Sequence, residues 1–190
     1  MASLLLTAPA VEPLTLAEVK AYLRVDVTDD DELIAALIAG ARIHVEAQTR
    51  RALITQSWRL VLDAWPDDGR ILVWPAPLQS LSAVRVYDLD NNASTVDTGS
   101  FVADVAASQL VFAPWALAQP GRIAAGIELD VMCGYGNVAT DVPEPLRQAI
   151  RLLVAHWYEN RGLVEGGITG VAVLPNTVAA LLSPYRMVSL

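Results

Sequence analysis

Thr28-Asp29-Asp30-Asp31-Glu32-Leu33-Ile34-Ala35-Ala36-Leu37-Ile38 opens the stretch that decides the fold. Leu33, Ile34, Leu37, Ile38, Ala41 and Val45 recur at intervals of mostly three and four, the period of a helix with one buried face. The carboxylates at its start and Arg50-Arg51 at its end both complement the helix dipole. The spacing therefore predicts a helix from the acidic cluster to about Arg51. Upstream, Thr15-Leu16-Ala17-Glu18 has the capping-box pattern, so a short helix is expected from about Leu16 to Arg24. Residues 1–13 read as extended, with Pro9 and Pro13 setting the backbone.

The helical period returns at Pro143, with Leu146, Ile150, Leu153 and Trp157 as its apolar stripe and Gly162 as its stop. A last short helix is expected from about Asn176 to Leu182, ended by Pro184. Between these ends the pattern changes. Ile127-Glu128-Leu129-Asp130-Val131 alternates as a half-buried strand does. Residues 57–62, 71–74, 81–87, 101–104 and 109–112 are further strand candidates. Gly, Pro, Asn and Asp punctuate them, as antiparallel strands with tight turns require.

The 190 residues carry a net charge of -8, and 54% of them are hydrophobic against 18% charged. That is enough apolar material for a real core and too much for disorder. An acidic chain lacks the basic footprint of a nucleic-acid binder. Cys133 is the only cysteine, so no internal disulfide forms, in keeping with a reducing compartment. No stretch has the makeup of a signal peptide or a membrane span.

Candidate chemistry is sparse. His44 and His156 sit in different helices with no metal-ligand spacing, so structural or surface roles are expected. The Asp29-Asp30-Asp31-Glu32 cluster offers hard oxygen ligands, but a helix N-terminus explains it more simply. Gly134-Tyr135-Gly136 lacks the third glycine of a dinucleotide-binding turn and reads as a tight turn. Cys133 has no adjacent base and reads as a buried residue. Trp58, Trp65, Trp74, Trp115 and Trp157 lack a basic groove, which points to core and interface roles. The residues thus give no catalytic group, no cofactor and no metal, but an α+β domain with an apolar C-terminal tail suited to a partner.

Glu12-Pro13-Leu14-Thr15-Leu16-Ala17-Glu18-Val19-Lys20, then Tyr22-Leu23-Arg24-Val25 and Asp29-Asp30-Asp31, resembles the opening of phage head–tail connector proteins, also called adaptors. Leu33-Ile34-Ala35-Ala36-Leu37-Ile38, Ala41-Arg42 and Arg51-Ala52-Leu53-Ile54-Thr55-Gln56-Ser57-Trp58 continue the likeness. So do Ala149-Ile150-Arg151-Leu152-Leu153-Val154-Ala155-His156-Trp157-Tyr158-Glu159-Asn160-Arg161 and Leu181-Leu182-Ser183-Pro184-Tyr185-Arg186. The likeness covers both helical ends in order and is less diagnostic in the centre.

With the element order, the resemblance implies one α+β domain over residues 1–190. Helices at about 15–52 and 143–162 would form a bundle, with a central antiparallel β insertion at about 55–135 and an extended C-terminal arm at about 171–190. It implies a ring of twelve copies under the portal, continuing a channel through which DNA passes without sequence-specific contact. The expected partners are the portal protein, a stopper or tail protein and other copies of the chain, with no membrane. The expected place is the head–tail junction of a phage, prophage or gene transfer agent particle made in the bacterial cytoplasm. Family adaptors grip the portal with the C-terminal segment, which here makes Val178, Leu181, Leu182, Tyr185, Arg186, Met187, Val188 and Leu190 the portal-interface candidates. Gly166, Gly167 and Gly170 would form a hinge before it. The alternative is a stopper or tail-completion protein, which would have a mostly β fold without the N-terminal helix pair.

Overall fold

The computed structural model describes residues 1–160 and 176–187. The chain divides into two compact units that interleave in sequence. One comprises Met1–Ala10 and Thr55–Tyr135; the other comprises Val11–Ile54 and the described residues from Gly136 onward.

The first unit is antiparallel β. Its strands are β1 (Ala2–Thr7), β2 (Gln56–Leu62), β3 (Arg70–Leu72), β4 (Leu78–Tyr87), β5 (Ala93–Val96), β6 (Phe101–Asp104), β7 (Gln109–Phe112) and β8 (Ile127–Cys133). Five of them form a sheet in the order β1-β2-β8-β4-β5, and three form a second sheet in the order β3-β7-β6. The alternation expected in β8 is present: Ile127, Leu129, Val131 and Cys133 are buried, and Glu128, Asp130 and Met132 take the other face. Register follows from that alternation, with Leu60 opposite Leu129 and Arg59 opposite Asp130. Trp65, Phe101 and Phe112 pack with ring centroids 5.1–5.8 Å apart, and Trp65 Nε1 donates to the Ala118 carbonyl at 2.9 Å. These rings are a core cluster whose one polar tip is satisfied.

Two strands are additions to the expected set. β1 lies in the stretch expected only to be extended, and it pairs with β2. β5 follows the Asp90-Asn91-Asn92 turn and pairs with β4. The β region is therefore not confined to 55–135, because its edge strand precedes the helices.

The second unit is helical: α1 (Leu16–Leu23), α2 (Asp31–Thr49), α3 (Glu144–Glu159) and α4 (Asn176–Leu182). The capping box at α1 is formed, with Glu18 N donating to Thr15 Oγ1 at 3.2 Å and Thr15 N donating to Glu18 Oε2 at 2.8 Å. Ile34, Ile38, Ala41 and Val45 of α2 are buried, as are Leu146, Ala149, Ile150, Leu153 and Val154 of α3. Arg147 joins α3 to the first helix: its Nη2 reaches Glu18 Oε1 at 2.7 Å and its Nε donates to the Pro13 carbonyl at 3.1 Å. Pro143 is the residue before α3 rather than its first residue, and Pro145 lies within the first turn.

The short helix expected over about Asn176–Leu182 is present, but over residues 176–187 the segment packs on the helical unit rather than standing off as the expected extended arm. Asn176–Leu182 is helical, and a 3-10 turn follows at Ser183–Tyr185. Val178 and Leu182, four residues apart, are 0% and 1% exposed, so they belong to the core of this unit. Gly162 and the hinge candidates Gly166, Gly167 and Gly170 lie outside the described residues, as do Val188 and Leu190.

Candidate interaction surfaces

The groups that chemistry would use are committed to packing. Burial pushes the Cys133 thiol up to about 12, so it is a proton-bearing core group rather than a nucleophile. His44 and Trp157 pack with their rings nearly perpendicular and centroids 6.1 Å apart. His156 Nδ1 lies 3.2 Å from the Asn160 amide nitrogen. Asp30 accepts from the Tyr158 hydroxyl and Asp31 pairs with Lys20, so half of the acidic cluster ties α2 to other elements. Among the described residues, no group of three or more His, Cys, Asp or Glu could hold a metal ion. In the Gly134-Tyr135-Gly136 turn, a Cβ at Gly136 would lie 2.0 Å from Asp141 Oδ2, so any larger residue would force the Asp141 side chain to move, and close approach rather than a ligand accounts for the glycine. Of the tryptophans, Trp65 is buried and Trp115 is 87% exposed.

Cationic charge is largely consumed internally. On β2, β8 and β4, Arg59 Nε donates to Asp130 Oδ1 at 2.7 Å and Arg85 Nη1 to Asp130 Oδ2 at 2.8 Å. Glu128 lies 3.1 Å from Arg59. Burial disfavours the Asp130 carboxylate, but hydrogen bonds from Arg59 and Arg85 outweigh it and hold its pKa below the usual aspartate value. Arg42 is paired with Glu12 and Glu46, and Arg147 and Arg151 with Glu144. Asp26, Asp29, Glu32, Asp67, Asp68 and Asp90 are exposed. The chain thus turns an excess of carboxylates to solvent.

The C-terminal segment meets α2 through backbone and side chain. Met187 N donates to the Thr49 carbonyl at 3.1 Å, Arg51 Nε to the Tyr185 carbonyl at 2.7 Å, and Arg186 Nη2 to Gln48 Oε1 at 3.1 Å. Of the portal-interface candidates, Val178 and Leu182 face the core, Leu181, Tyr185 and Met187 are half-buried, and Arg186 is exposed. Sequence reasoning missed a second surface. Leu4, Leu5 and Leu6 of β1 are 53%, 48% and 45% exposed on an outer strand of the larger sheet. The run of three leucines was the available signal. Among the described residues, no helix is long and apolar enough to cross a membrane.

Residues 13–98 match the family model of phage gp6-like head–tail connector proteins. Comparison with curated proteins returns no match. Three solved chains are similar over nearly their whole length. A chain from the virion of a native gene transfer agent (GTA) particle has a TM-score of 0.82 and 26% identity, covering 100% of this chain and 97% of its own. A chain from the neck of an empty GTA particle computed with C6 symmetry has a TM-score of 0.78 and 28% identity, with the same coverage. A chain from the neck of a native GTA particle computed with C12 symmetry has a TM-score of 0.68 and 28% identity, covering 98% of this chain and 97% of its own. These likenesses are to structural components of particles, not to enzymes.

Proposed function

We propose that this chain, similar by sequence to head–tail connectors and by fold to GTA neck chains, is the structural head–tail adaptor of a tailed phage or phage-like particle. The observation that carries this reading is the end-to-end likeness to a chain of a neck computed with C12 symmetry. In this role twelve copies form a ring beneath the portal, join head to tail and continue the DNA channel. A stopper or tail protein docks on the far side.

Portal contact is assigned to the C-terminal segment, through Leu181, Tyr185, Arg186 and Met187, with Val188 and Leu190 beyond the described residues. Val178 and Leu182 anchor the segment from behind. At -8 per copy, a twelve-fold ring carries on the order of a hundred negative charges, which would repel phosphate and let DNA slide.

Native mass spectrometry of the chain, alone and with the portal protein of the same particle, tests the reading. A multi-copy assembly on the portal is expected, and a chain that ignores the portal overturns the proposal. Leu181→Glu with Met187→Glu then tests the portal face. Deleting residues 176–190 would not do so, because it also removes the core residues Val178 and Leu182.

A further inference from the structure

We infer that the free edge of β1 takes up the β5 edge of a second copy of this chain, head to tail, so that the larger sheet runs on from copy to copy; this rests on the ring reading above. Among the described residues, β1 is an outer strand of its sheet and pairs only with β2. Successive side chains of a strand point to opposite faces. Leu4, opposite Arg59, lies on the face of the charged ladder, and Leu5, opposite Trp58, lies on the other. A partner resting on one face would cover alternate leucines only. A strand added at the edge flanks both faces at once and takes up the outward N–H and C=O groups.

Among the described residues, neither charge nor proline guards this edge. Natural sheets protect outer strands with lysine, proline, inward charge or bulges. Ala2–Thr7 has no charged residue and no proline, and its single register shift falls between Leu5 and Thr7, at its end. The same holds at the opposite edge. β5, Ala93-Ser94-Thr95-Val96, is uncharged, free of proline and exposed at its first three positions. Two uncharged edges can meet without repulsion or stranded charge. Joining unlike edges makes a heterologous contact, which gives a ring when its rotation closes, whereas joining like edges stops at two copies. The similar neck chains come from assemblies computed with cyclic symmetry.

The test uses two variants of the full chain, each with its unfolding transition checked against wild type. One blocks β1 (Leu4→Lys with Leu6→Lys), and the other blocks β5 (Ala93→Lys with Thr95→Lys). Native mass spectrometry counts copies, free and on the portal ring. Each variant alone is expected to stay a single copy where wild type assembles. Mixed, the two retain one good pair of edges and are expected to stop at a heterodimer. Normal assembly by either variant overturns the inference while leaving the adaptor reading intact. So does a β1 variant that assembles normally but loses a different particle protein. Wild type that remains a single copy even with the portal overturns both.

Discussion

Arg51 Nε donates a 2.7 Å hydrogen bond to the backbone carbonyl of Tyr185, so the end of α2 holds the C-terminal segment by its main chain. A main-chain acceptor leaves the Tyr185 ring itself uncommitted by this bond. Arg51→Ala is expected to lower the stability of the helical unit by about 1–2 kcal/mol, spanning the upper values for a neutral hydrogen bond and the lower ones for a bond to a charged group, because the pair is only partly buried. It is also expected to speed tryptic cleavage at Arg186. Denaturant titration and timed proteolysis check both, and unchanged cleavage would show that the segment is held elsewhere.

Leu182 packs in the helical core at 1% exposure. Leu182→Ala is expected to destabilise by about 2–4 kcal/mol, combining lost transfer energy with a residual cavity. Half-buried Leu181 is expected to cost about 1 kcal/mol or less on the same change. Comparable losses at both positions in urea unfolding would argue against this orientation of α4.

The Asp130 carboxyl has a depressed pKa in the folded chain, because hydrogen bonds from Arg59 and Arg85 outweigh the opposing effect of burial. A carboxyl of this kind contributes stability above its unfolded pKa of about 3.9, and the contribution is lost as pH falls through the folded value. Asp130→Asn is therefore expected to be less stable than wild type at pH 7, with the gap closing as pH drops below about 4. Urea midpoints at both pH values measure this, and a gap independent of pH would sink the assignment.

The Cys133 thiol, raised to about 12 by burial, has almost no thiolate at pH 8. Native protein is expected to react with a thiol reagent only as fast as the β unit opens, and unfolded protein within seconds to minutes. Rapid labelling of native protein would contradict the burial.

Trp65→Ala is expected to cost about 3–5 kcal/mol, as loss of a buried large aromatic does. Trp65→Phe keeps an aromatic ring but strands the Ala118 carbonyl acceptor, and about 1 kcal/mol is expected there. Near-ultraviolet circular dichroism should lose intensity in the first variant.

The helices were legible because their information is local. The Thr15–Glu18 box spans one turn, and the α2 stripe repeats within nineteen residues. β8 was legible for the same reason, since alternation needs only neighbours. What escaped the sequence is long-range. Arg59 meets Asp130 across 71 positions, and Tyr158 reaches Asp30 across 128. β1 escaped because an outer strand with leucines on both faces shows no alternation. β5 escaped because Ala-Ser-Thr-Val offers little apolar signal. In the C-terminal segment a signal was present: Val178 and Leu182 have helix-face spacing, which marks a packed helix as readily as a partner-seeking tail.

The pairing of β1 with β2 also sets an order of events during synthesis. Ala2–Thr7 leaves the ribosome well before its partner strand, since Ser57–Val61 emerge roughly fifty residues later. At about 5–20 residues per second, three leucines wait several seconds without a partner strand. The central strand, β8, comes later still, and α2 must likewise await α3. Neither unit can close on a half-made chain, which makes the nascent Ala2–Thr7 segment a natural client for chaperones that shield apolar segments.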